Sequence, residues 1–572
     1  MENGRRKSKF KWEVCPTISE ELKNRFPEIN PIILQLLYNR GLKTQKEIDE
    51  FLLPDYSQDI HNSFIFLEME KAVERIYRAI ENKEKILIYG DYDVDGVMSA
   101  VLLYKVLKLL GIESDIYLPD REKEGYSLNK EAIKSFIEKK INLIITCDCG
   151  ISNPEEVEEA NQAGVDVIIT DHHCEPEILP KAYAIINPQL KREKYPFKNL
   201  AGVGVVFKLV CALFKQANLP NKEAAEKWLL DLVALGTIND LMPLLKENRT
   251  LCKYGLLVLN KTKNHGLKVL IEKSGLSLGS IDTGNIYYQI GPRINAAGRM
   301  DHANEALKLL LTDGEEVNNL ALKINALNEK RQRIVENIFT EIREEIEKQP
   351  LKKLLIVLKE KCPVGVLGLV ANKLVDAFTR SAIVLTKTSQ GKIKASGRSI
   401  GDFDLFANLS SLSHYFSGFG GHKIAAGFTL KNNEDFEKFK KEIEAKAEQE
   451  IKEENFNLKI KIDAKVRLSD INWDFQEELA KFEPYGHGNQ KPFFLLSNIN
   501  LKNIEIIGKN GQHRRLTIDE GKKLIYFNSD EKVRDFKIGD KIDVVFELGV
   551  NQWNGEQRLE MKAIDIRRVT NN

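Results

Sequence analysis

The segment ILIYGDYDVDGV, residues 86–97, places three carboxylates at alternate positions directly after an apolar run. Asp91, Asp93 and Asp95 carry like charges, and a folded chain seldom keeps such charges together without a cation nearby. Taken alone, the pattern fits a metal site, a Ca²⁺ loop or a polar turn. A Ca²⁺ loop of the EF-hand type would need a glutamate at its twelfth position, where this sequence has Leu102.

Metal-type side chains also follow two later apolar runs that read as buried strands. The run NLIITC, residues 142–147, precedes Asp148, and the run VDVIIT, residues 165–170, precedes Asp171, His172 and His173. In an open parallel sheet, ligands bind beyond the carboxyl ends of the strands. We therefore expect these side chains to converge in one crevice, with Asp240, which follows an apolar helical pattern, as a fourth contribution.

Oxygen-rich ligands with one or two imidazoles suit Mn²⁺ or Mg²⁺. So many carboxylates favour two ions that share a ligand, and such a pair can catalyse in-line displacement at phosphorus. The competing interpretation is a zinc site built from the histidines with Cys147, Cys149 and Cys174. We expect Cys147 and Cys149 to share a strand face opposite Asp148, which makes packing around the crevice their favoured role.

The elements that must position these residues alternate between strand and helix, a pattern typical of a parallel sheet covered by helices. Residues 315–348 contain no Gly or Pro and predict one long connecting helix. A second α/β unit follows, and then a period-two pattern with hairpin signals predicts a small β-barrel. The predicted fold class is α/β, with two parallel-sheet domains joined by a long helix and a C-terminal β-barrel. The predicted domains run over residues 1–70 (helical segment), 71–314 (first α/β domain), 315–348 (connecting helix), 349–455 (second α/β domain) and 456–572 (barrel).

The composition is that of an ordinary globular protein. The chain has 572 residues with 85 Lys and Arg against 84 Asp and Glu, a formal net charge of +1. A nucleic-acid ligand would therefore need a local basic patch, because no global positive field exists. Seven scattered cysteines indicate a reducing interior, and we find neither a signal peptide nor an apolar stretch long enough for a membrane span. These features predict a cytoplasmic protein without membrane association.

Several longer motifs extend the pattern beyond the three strand ends. DYDVDG, CDCG, TDHH and ALGTINDLMPL resemble the four motifs of the DHH phosphoesterase superfamily. GPRINAAGRM, GVLGLVANKLV, SGRS, GFGGHKIAAGF and PYGHGNQKPFF are similar to motifs of the bacterial single-strand-specific 5′-to-3′ exonucleases within that superfamily. The resemblance runs from about residue 40 to the C-terminus.

This resemblance implies roles for the acidic and imidazole groups. The implied ligands of two Mn²⁺ or Mg²⁺ ions, with Mn²⁺ preferred, are Asp93, Asp95, Asp148, His172 and Asp240. Asp95 and Asp148 would bridge the ions, and His173 would contact the scissile phosphate. Asp91 and Asp171 match acidic positions that orient the ligands. Tyr89 stands where many relatives have a histidine, so a histidine ligand at this corner is in doubt.

The resemblance also implies a device that holds the 5′ end. Arg121 and Tyr126 match positions that meet the nucleotide through charge and stacking. Residues that resemble a pocket for the 5′-phosphate are Arg293, Asn295, Arg299, Ser396, Arg398 and His422. The resemblance implies that the first α/β domain is catalytic, that the second binds substrate and that the barrel is an OB-fold. In this OB-fold, Tyr526, Phe527 and Trp553 are candidates to stack on bases. We reject GVGVVF, residues 202–207, as a dinucleotide-binding loop, because no strand clearly precedes it.

The resulting expectation is hydrolysis of single-stranded DNA from the 5′ end, with release of 5′-mononucleotides in recombination and repair. The implied partners are single-stranded DNA, a single-strand-binding protein and a RecQ-like helicase, and the implied state is a monomer. Two alternatives remain open. One is a phosphodiesterase for short oligoribonucleotides or cyclic dinucleotides, and the other is a non-catalytic nucleic-acid-binding scaffold.

Overall fold

The computed structural model describes residues 10–529, 533, 535–553 and 555–569. It divides the chain into two compact units. One unit consists of residues 55–456, and the other combines the residues up to 54 with those from 457 onward. The first segment and the last domain thus belong to the same unit although the larger unit separates them in sequence.

The larger unit begins with a five-stranded sheet in which every neighbouring pair is parallel. The two central strands are buried along their whole length, because helices cover both faces, and this explains their continuous apolar sequence. Alternate residues of one strand enter two separate apolar clusters, Ile86 and Ile88 on one face and Leu87 and Tyr89 on the other. In spatial order the strands are Ser114–Tyr117, Ile86–Gly90, Leu143–Cys147, Asp166–Thr170 and Ala184–Ile186.

Helices connect these strands and then form a largely helical layer. The first helix after a site-bearing strand, Val94–Leu109, is apolar all round because it packs in the larger cluster. The other helices are Met69–Glu81, Lys130–Glu138, Pro154–Gln162, Gly202–Gln216, Lys222–Trp228, Leu230–Asn239, Lys246–Leu259, His265–Lys273, Thr283–Asn285, Gly291–Met300 and Asn304–Leu311. A π-helical segment, Ile286–Ile290, leads directly into Gly291–Met300.

The long helix predicted over 315–348 spans Glu316–Ile346. The second sheet follows, with helices Leu367–Phe378, Leu405–Ser411 and Phe436–Glu450. Its strands in spatial order are Phe416–His422, Ala425–Leu430, Ile393–Arg398, Ser381–Lys387 and Leu354–Leu358.

The expectation of parallel strands in this second sheet holds for one pair only. Leu354–Leu358 and Ser381–Lys387 are parallel, and the remaining three pairings are antiparallel. The reason lies in the connections, since a parallel pair needs a crossover of a dozen or more residues. The helix Leu367–Phe378 supplies such a crossover once, whereas short turns join two of the later pairs.

The smaller unit contains a closed barrel. Its strands are Phe494–Ile507, His513–Ile518, Lys523–Tyr526, Glu556–Arg568 and Lys541–Trp553, and pairing of the first with the last closes the ring. A short strand, Ala464–Lys465, pairs in parallel with the start of the strand Phe494–Ile507. This confirms the predicted C-terminal OB-type barrel. Tyr526 is buried in it, Phe527 is half exposed, and the side chain of Trp553 lies outside the described residues.

The N-terminal segment contributes a strand as well as helices to this smaller unit. Phe10–Val14 pairs in parallel with Leu458–Ile462, and Trp12 donates a hydrogen bond of 2.8 Å from Nε1 to Asp565 Oδ2. The helices of the unit are Glu20–Arg25, Pro31–Asn39, Gln45–Leu52 and Trp473–Ala480. Within the described residues, none of the helices combines the length and the apolar character that crossing a membrane requires.

Candidate metal centre

The carboxyl ends of three adjacent strands deliver the first set of acidic side chains. Asp91, Asp148 and Asp171 each come directly after a strand, and each backbone N–H bonds to a neighbouring strand end. The bonds run from Asp91 N to Cys147 O (3.3 Å), from Asp148 N to Thr170 O (2.9 Å) and from Asp171 N to Ile186 O (3.1 Å). The sheet itself therefore holds these three carboxylates at one edge.

The ligand atoms near this edge form three groups in which all atoms lie within 4.8 Å of one another. The groups are Asp91, Asp93 and Asp148; Asp95, His172 and Asp240; and Asp148, His172 and His173. Asp148 and His172 each belong to two groups, and their Oδ1 and Nε2 atoms are 3.1 Å apart. The arrangement suits two neighbouring cations that share a ligand. It also brings Asp91, which sequence reasoning treated as a secondary acid, within reach of a cation.

Helix N-termini fix two of the carboxylates. Asp93 caps the helix Val94–Leu109, where its Oδ1 accepts a hydrogen bond from Gly96 N at 3.1 Å. Asp95 accepts two bonds from the start of the helix Gly202–Gln216, from Gly202 N at 2.7 Å and from Val203 N at 2.9 Å. The segment GVGVVF, residues 202–207, which we rejected as a dinucleotide-binding loop, therefore orients Asp95.

Gly202 is required by its close approach to Asp148. A Cβ atom at this position would lie 2.6 Å from both Cβ and Oδ1 of Asp148. A methyl group would thus displace a carboxylate that two ligand groups share. Sequence reasoning missed this residue, and the only signal for it was a glycine at the start of an apolar helix.

Asp171 belongs to none of the three ligand groups and instead orients the two histidines. Its Oδ1 accepts hydrogen bonds from His172 N (2.7 Å) and His173 N (3.0 Å) and pairs with His173 Nδ1 (2.7 Å). Its Oδ2 accepts a bond from Ile151 N at 3.0 Å. Burial alone would lower the pKa of His173, but the bond to Asp171 and the charges of nearby carboxylates raise it to about 9. His173 therefore carries a positive charge beside the carboxylates at neutral pH.

The remaining carboxylates are in an environment that cannot hold them all ionised without cations. Burial, and then repulsion by the neighbouring acids, raises the pKa of Asp91, Asp148 and Asp240 well above the ordinary value and that of Asp95 to about 7. Buried oxygens of Asp91 (Oδ1), Asp148 (Oδ1) and Asp240 (Oδ2) have no hydrogen-bond partner among the described residues. His172, whose pKa burial lowers to about 4, presents a neutral imidazole to the same space. This donor set fits Mn²⁺ or Mg²⁺.

The cysteines do not join this site. Cys147 and Cys149 lie in the two apolar clusters on opposite faces of the sheet, and Cys174 is exposed. The expectation that Cys147 and Cys149 share a strand face was wrong. The strand ends at Cys147, and Asp148 has a left-handed conformation with φ of 63°, so the alternation of an extended strand does not continue through it.

Four guanidinium groups lie close enough for their charges to interact, and Asp93 also acts on one of them. Burial lowers the pKa of Arg299 to about 9, and three neighbouring guanidinium charges act in the same direction, whereas Asp93 opposes them. The neighbours are Arg121, Arg331 and Arg398. Like charges in such a cluster favour a bound anion. Arg331, on the long helix, was missed in the sequence, because a lone arginine among the charged residues of a helix gives no signal.

The other residues predicted to bind the 5′-phosphate differ in the contacts that they make. Arg398 donates to Ser396 Oγ at 3.2 Å, and the Oδ1 atom of Asn295 is buried without a described hydrogen-bond partner. Arg293 is instead engaged with Asn325 Oδ1 at 2.9 Å and with Gln289 O at 2.8 Å. His422 ends an exposed strand, and its charge adds to the lowering of the His172 pKa.

The loop of residues 118–129 carries the predicted nucleotide contacts and lies over the acidic edge. The guanidinium of Arg121 stacks on the ring of Tyr92, with its Cζ 3.8 Å from the ring centroid. The Tyr126 hydroxyl lies 3.2 Å from His173 Nε2 and 3.4 Å from Asp148 O. Tyr89 points to the opposite face of the sheet and donates a hydrogen bond to Ser127 O, so it offers no ligand to the crevice.

Comparison with known proteins agrees with this architecture. Residues 85–237 match the model of the DHH family, N-terminal domain; residues 351–449 match the DHHA1 domain; and residues 462–565 match the RecJ OB domain. The fold and the acidic site therefore define a protein of the DHH class.

The similarity to individual proteins is closer still. The chain is 39% identical to the single-stranded-DNA-specific exonuclease RecJ of Bacillus subtilis over 98% of its own length and 71% of that protein. The crystal structure of RecJ from Thermus thermophilus in complex with Mn²⁺ matches with a TM-score of 0.83 at 28% identity, over 98% of this chain and 80% of that one. The Mg²⁺ complex of the same protein matches with a TM-score of 0.77 at 26% identity, over 98% and 79%. The chain belongs to the RecJ family.

Proposed function

We propose that this protein is a metal-dependent exonuclease that digests single-stranded DNA from the 5′ end and releases 5′-mononucleotides. The observation that carries the proposal is the juxtaposition of two complementary clusters in one unit. Carboxylates and a neutral imidazole suited to divalent cations lie next to four arginines suited to a phosphate. A nuclease that acts at a chain end needs both, one to cut and one to hold the terminus.

The residues that would hold two Mn²⁺ or Mg²⁺ ions are those of the three ligand groups. Asp148 is the favoured shared ligand, because it lies in two groups, one with Asp91 and Asp93 and the other with the two histidines. When bound, the ions supply a hydroxide nucleophile at neutral pH and stabilise charge on the attacking and leaving oxygens. Asp95 keeps its orientation throughout, because the backbone of Gly202 and Val203 holds both of its oxygens.

His173 would hold the charge that develops on the scissile phosphate. Asp171 fixes its Nδ1 and keeps the ring protonated, since the pKa of His173 is about 9. A fixed positive donor aimed at developing charge is an effective form of transition-state stabilisation. The Tyr126 hydroxyl beside the ring places an aromatic face where the base of the terminal nucleotide would stack.

The arginine cluster would select the 5′-phosphate. Arg121, Arg299 and Arg398 present guanidinium forks, which suit a terminal phosphate dianion better than a single diester charge. The charge of Asp93 acts directly on Arg299, so the cluster adjoins the cutting site. Such proximity supports release of short products.

The wider setting of the proposal rests on the family. The barrel would bind single-stranded DNA through its exposed aromatic and basic side chains. A single-strand-binding protein and a RecQ-like helicase would be the partners in recombination and repair, and we expect a cytoplasmic monomer. Among the alternatives, a phosphodiesterase for short oligonucleotides would have little use for the barrel. A scaffold would have little use for the full set of buried acids.

A direct test uses single-stranded DNA labelled at the 5′ or the 3′ end, with Mn²⁺ and the full-length protein. We expect the 5′ label to appear at once as a mononucleotide, whereas the 3′ label shortens progressively, and duplex DNA to resist. Asp148→Ala should reduce the rate by more than the ~10–100-fold typical of residues outside the ligand shell. Asp282→Ala, which removes an exposed helix-capping carboxylate that belongs to none of the three ligand groups, is the matched control. Equal rates for Asp148→Ala and the parent would refute the metal assignment.

A further inference from the structure

We infer that Ser127 is a positioning residue that fixes the loop of residues 118–129 against the turn of residues 148–153 and thereby sets the place of Tyr126. We call these segments the nucleotide loop and the Asp148 turn. The inference deepens the proposed function and rests on it, because the role of Tyr126 is part of that proposal.

Ser127 makes three hydrogen bonds from a buried position. Its hydroxyl donates to Asn153 Oδ1 at 2.5 Å and accepts from Gly150 N at 3.1 Å, so it joins two points of the Asp148 turn. Its carbonyl oxygen accepts from the Tyr89 hydroxyl at 2.8 Å. Its φ is 70°, a left-handed value that a serine adopts at a cost. The three bonds hold the residue in this conformation.

The Asp148 turn has anchors of its own. Asp148 N donates to Thr170 O at 2.9 Å, the Thr146 hydroxyl donates to Cys149 O at 2.7 Å, and Ile151 N donates to Asp171 Oδ2 at 3.0 Å. The metal-bearing side would therefore keep its shape without Ser127. The nucleotide loop has one further bond to this turn, which Leu128 O accepts from Asn153 Nδ2 at 3.1 Å, and the Ser127 hydroxyl supplies two more.

Tyr126 is the residue directly before Ser127, so the position of Ser127 constrains the backbone of Tyr126. Its side chain is 47% exposed, so packing alone does not fix it, yet its hydroxyl lies 3.3 Å from His173 Nδ1 and 3.2 Å from His173 Nε2. Because Ser127 is held beside Gly150, the Tyr126 ring is directed over His173, at a centroid separation of 5.7 Å. A nucleotide that stacks on Tyr126 would thus meet a ring whose position Ser127 determines.

Tyr89 completes the arrangement. Its ring is fully buried beside Tyr117, with a centroid separation of 5.3 Å. Only the hydroxyl reaches Ser127 O. Tyr89→Phe therefore removes two hydrogen bonds with the nucleotide loop, the one that the hydroxyl donates to Ser127 O and the longer one that it accepts from Asn129 Nδ2 at 3.4 Å, while it keeps the packing of the ring.

The experiment measures kcat, KM and the Mn²⁺ concentration for half-maximal rate on a short 5′-phosphorylated single strand. Ser127→Gly is the main variant, since glycine accepts the left-handed φ and lacks the hydroxymethyl group. We expect KM to rise about tenfold, because both hydrogen bonds of the hydroxyl to the Asp148 turn are lost, with kcat within about threefold and the Mn²⁺ midpoint unchanged. Tyr89→Phe should raise KM in the same direction by a smaller factor. Ser274→Ala, which removes a hydroxyl bonded only to Leu270 O in its own helix, is the matched control.

A double-mutant cycle separates positioning from general stability. If Ser127 acts through Tyr126, Ser127→Gly should have no further effect on KM in a Tyr126→Ala background. Three outcomes would each overturn the inference. The effects of the two substitutions on KM could be additive, or KM could be unchanged in both single variants. The third outcome is a loss of kcat and of Mn²⁺ affinity in place of the change in KM. Should Ser127→Gly fail to fold, the Tyr89→Phe and Tyr126→Ala cycle decides by the same criteria. An inactive parent would instead remove the proposed function and the inference with it.

Discussion

Asp148 Oδ1 lies 3.1 Å from His172 Nε2, although the two residues follow different strands of the sheet. The contact joins the acidic group around Asp91 and Asp93 to the group around Asp95 and Asp240. Burial, and then repulsion among the carboxylates, raises the pKa values of Asp148 and Asp240. This pair is where we propose that two cations share a ligand.

The first prediction concerns Gly202. Gly202→Ala would place a methyl group 2.6 Å from Asp148 Oδ1, and the carboxylate must move. We expect the rate on single-stranded DNA to fall by ~10–100-fold, as for residues that orient metal ligands, and the Mn²⁺ midpoint to rise. Steady-state kinetics over a Mn²⁺ titration measures both.

Gly204→Ala provides the control on the same helix. A methyl group there meets only the side chain of Leu200, at 3.3 Å, which can move aside. This variant should behave like the parent. Equal losses in the two variants would mean that the helix, and not the contact with Asp148, is sensitive to substitution.

The second prediction is a stability that depends on pH and metal together. The pKa of Asp95 is about 7 in the folded protein, raised by burial and by Asp93 from an ordinary 3.8. The folded protein therefore retains a proton that the unfolded chain has released, so stability in a chelator should fall as pH rises from about 4 to 7. Added Mn²⁺ should raise the melting temperature by ~5 °C or more at pH 8 and by less than ~2 °C at pH 5. Differential scanning calorimetry measures the melting temperature at each pH, with Mn²⁺ and with chelator.

Asp240→Asn tests the cause of that trend. The neutral amide relieves repulsion from Asp95 and Asp93, so the variant should melt higher than the parent in chelator at pH 8. It should also gain less from Mn²⁺ and lose nuclease activity. A variant that melts lower in the chelator would contradict the account of electrostatic repulsion.

The third prediction concerns selection of the 5′ end. Arg299→Ala, Arg331→Ala and Arg398→Ala should each reduce the preference for a 5′-phosphate over a 5′-hydroxyl terminus, by ~10-fold or more per charge-assisted bond lost. The measurement is the ratio of kcat/KM values for two strands that differ only in that phosphate.

Arg293→Ala serves as the comparison. Arg293 already bonds to Asn325 and Gln289, so its removal should alter the preference less than removal of the other three. If Arg331→Ala leaves the ratio of kcat/KM values at that of the parent, Arg331 does not bind the 5′-phosphate.

The sequence was sufficient to predict where the strands end and which acids follow them. Local apolar runs mark strands, and the rule that parallel strands present ligands at their carboxyl ends brings Asp91, Asp148 and Asp171 together. The long helix and the barrel were likewise visible from local periodicity. These features depend on short-range patterns.

The sequence could not predict contacts made across long separations. The pairing of Phe10–Val14 with Leu458–Ile462 joins segments far apart in the chain, and a two-residue period does not identify a partner. Gly202 beside Asp148 and Arg331 beside Arg299 depend on how helices pack on one another. The left-handed φ of Asp148 reversed the expected placement of Cys149, because strand alternation ends where the strand does.

The most direct test of the bridged site is anomalous scattering from crystals soaked in Mn²⁺. We expect two peaks ~3.5–4 Å apart beside Asp93, Asp148 and His172, with Asp148 between them, in keeping with two-metal phosphoryl transfer. A single peak, or peaks only elsewhere on the protein, would contradict the account.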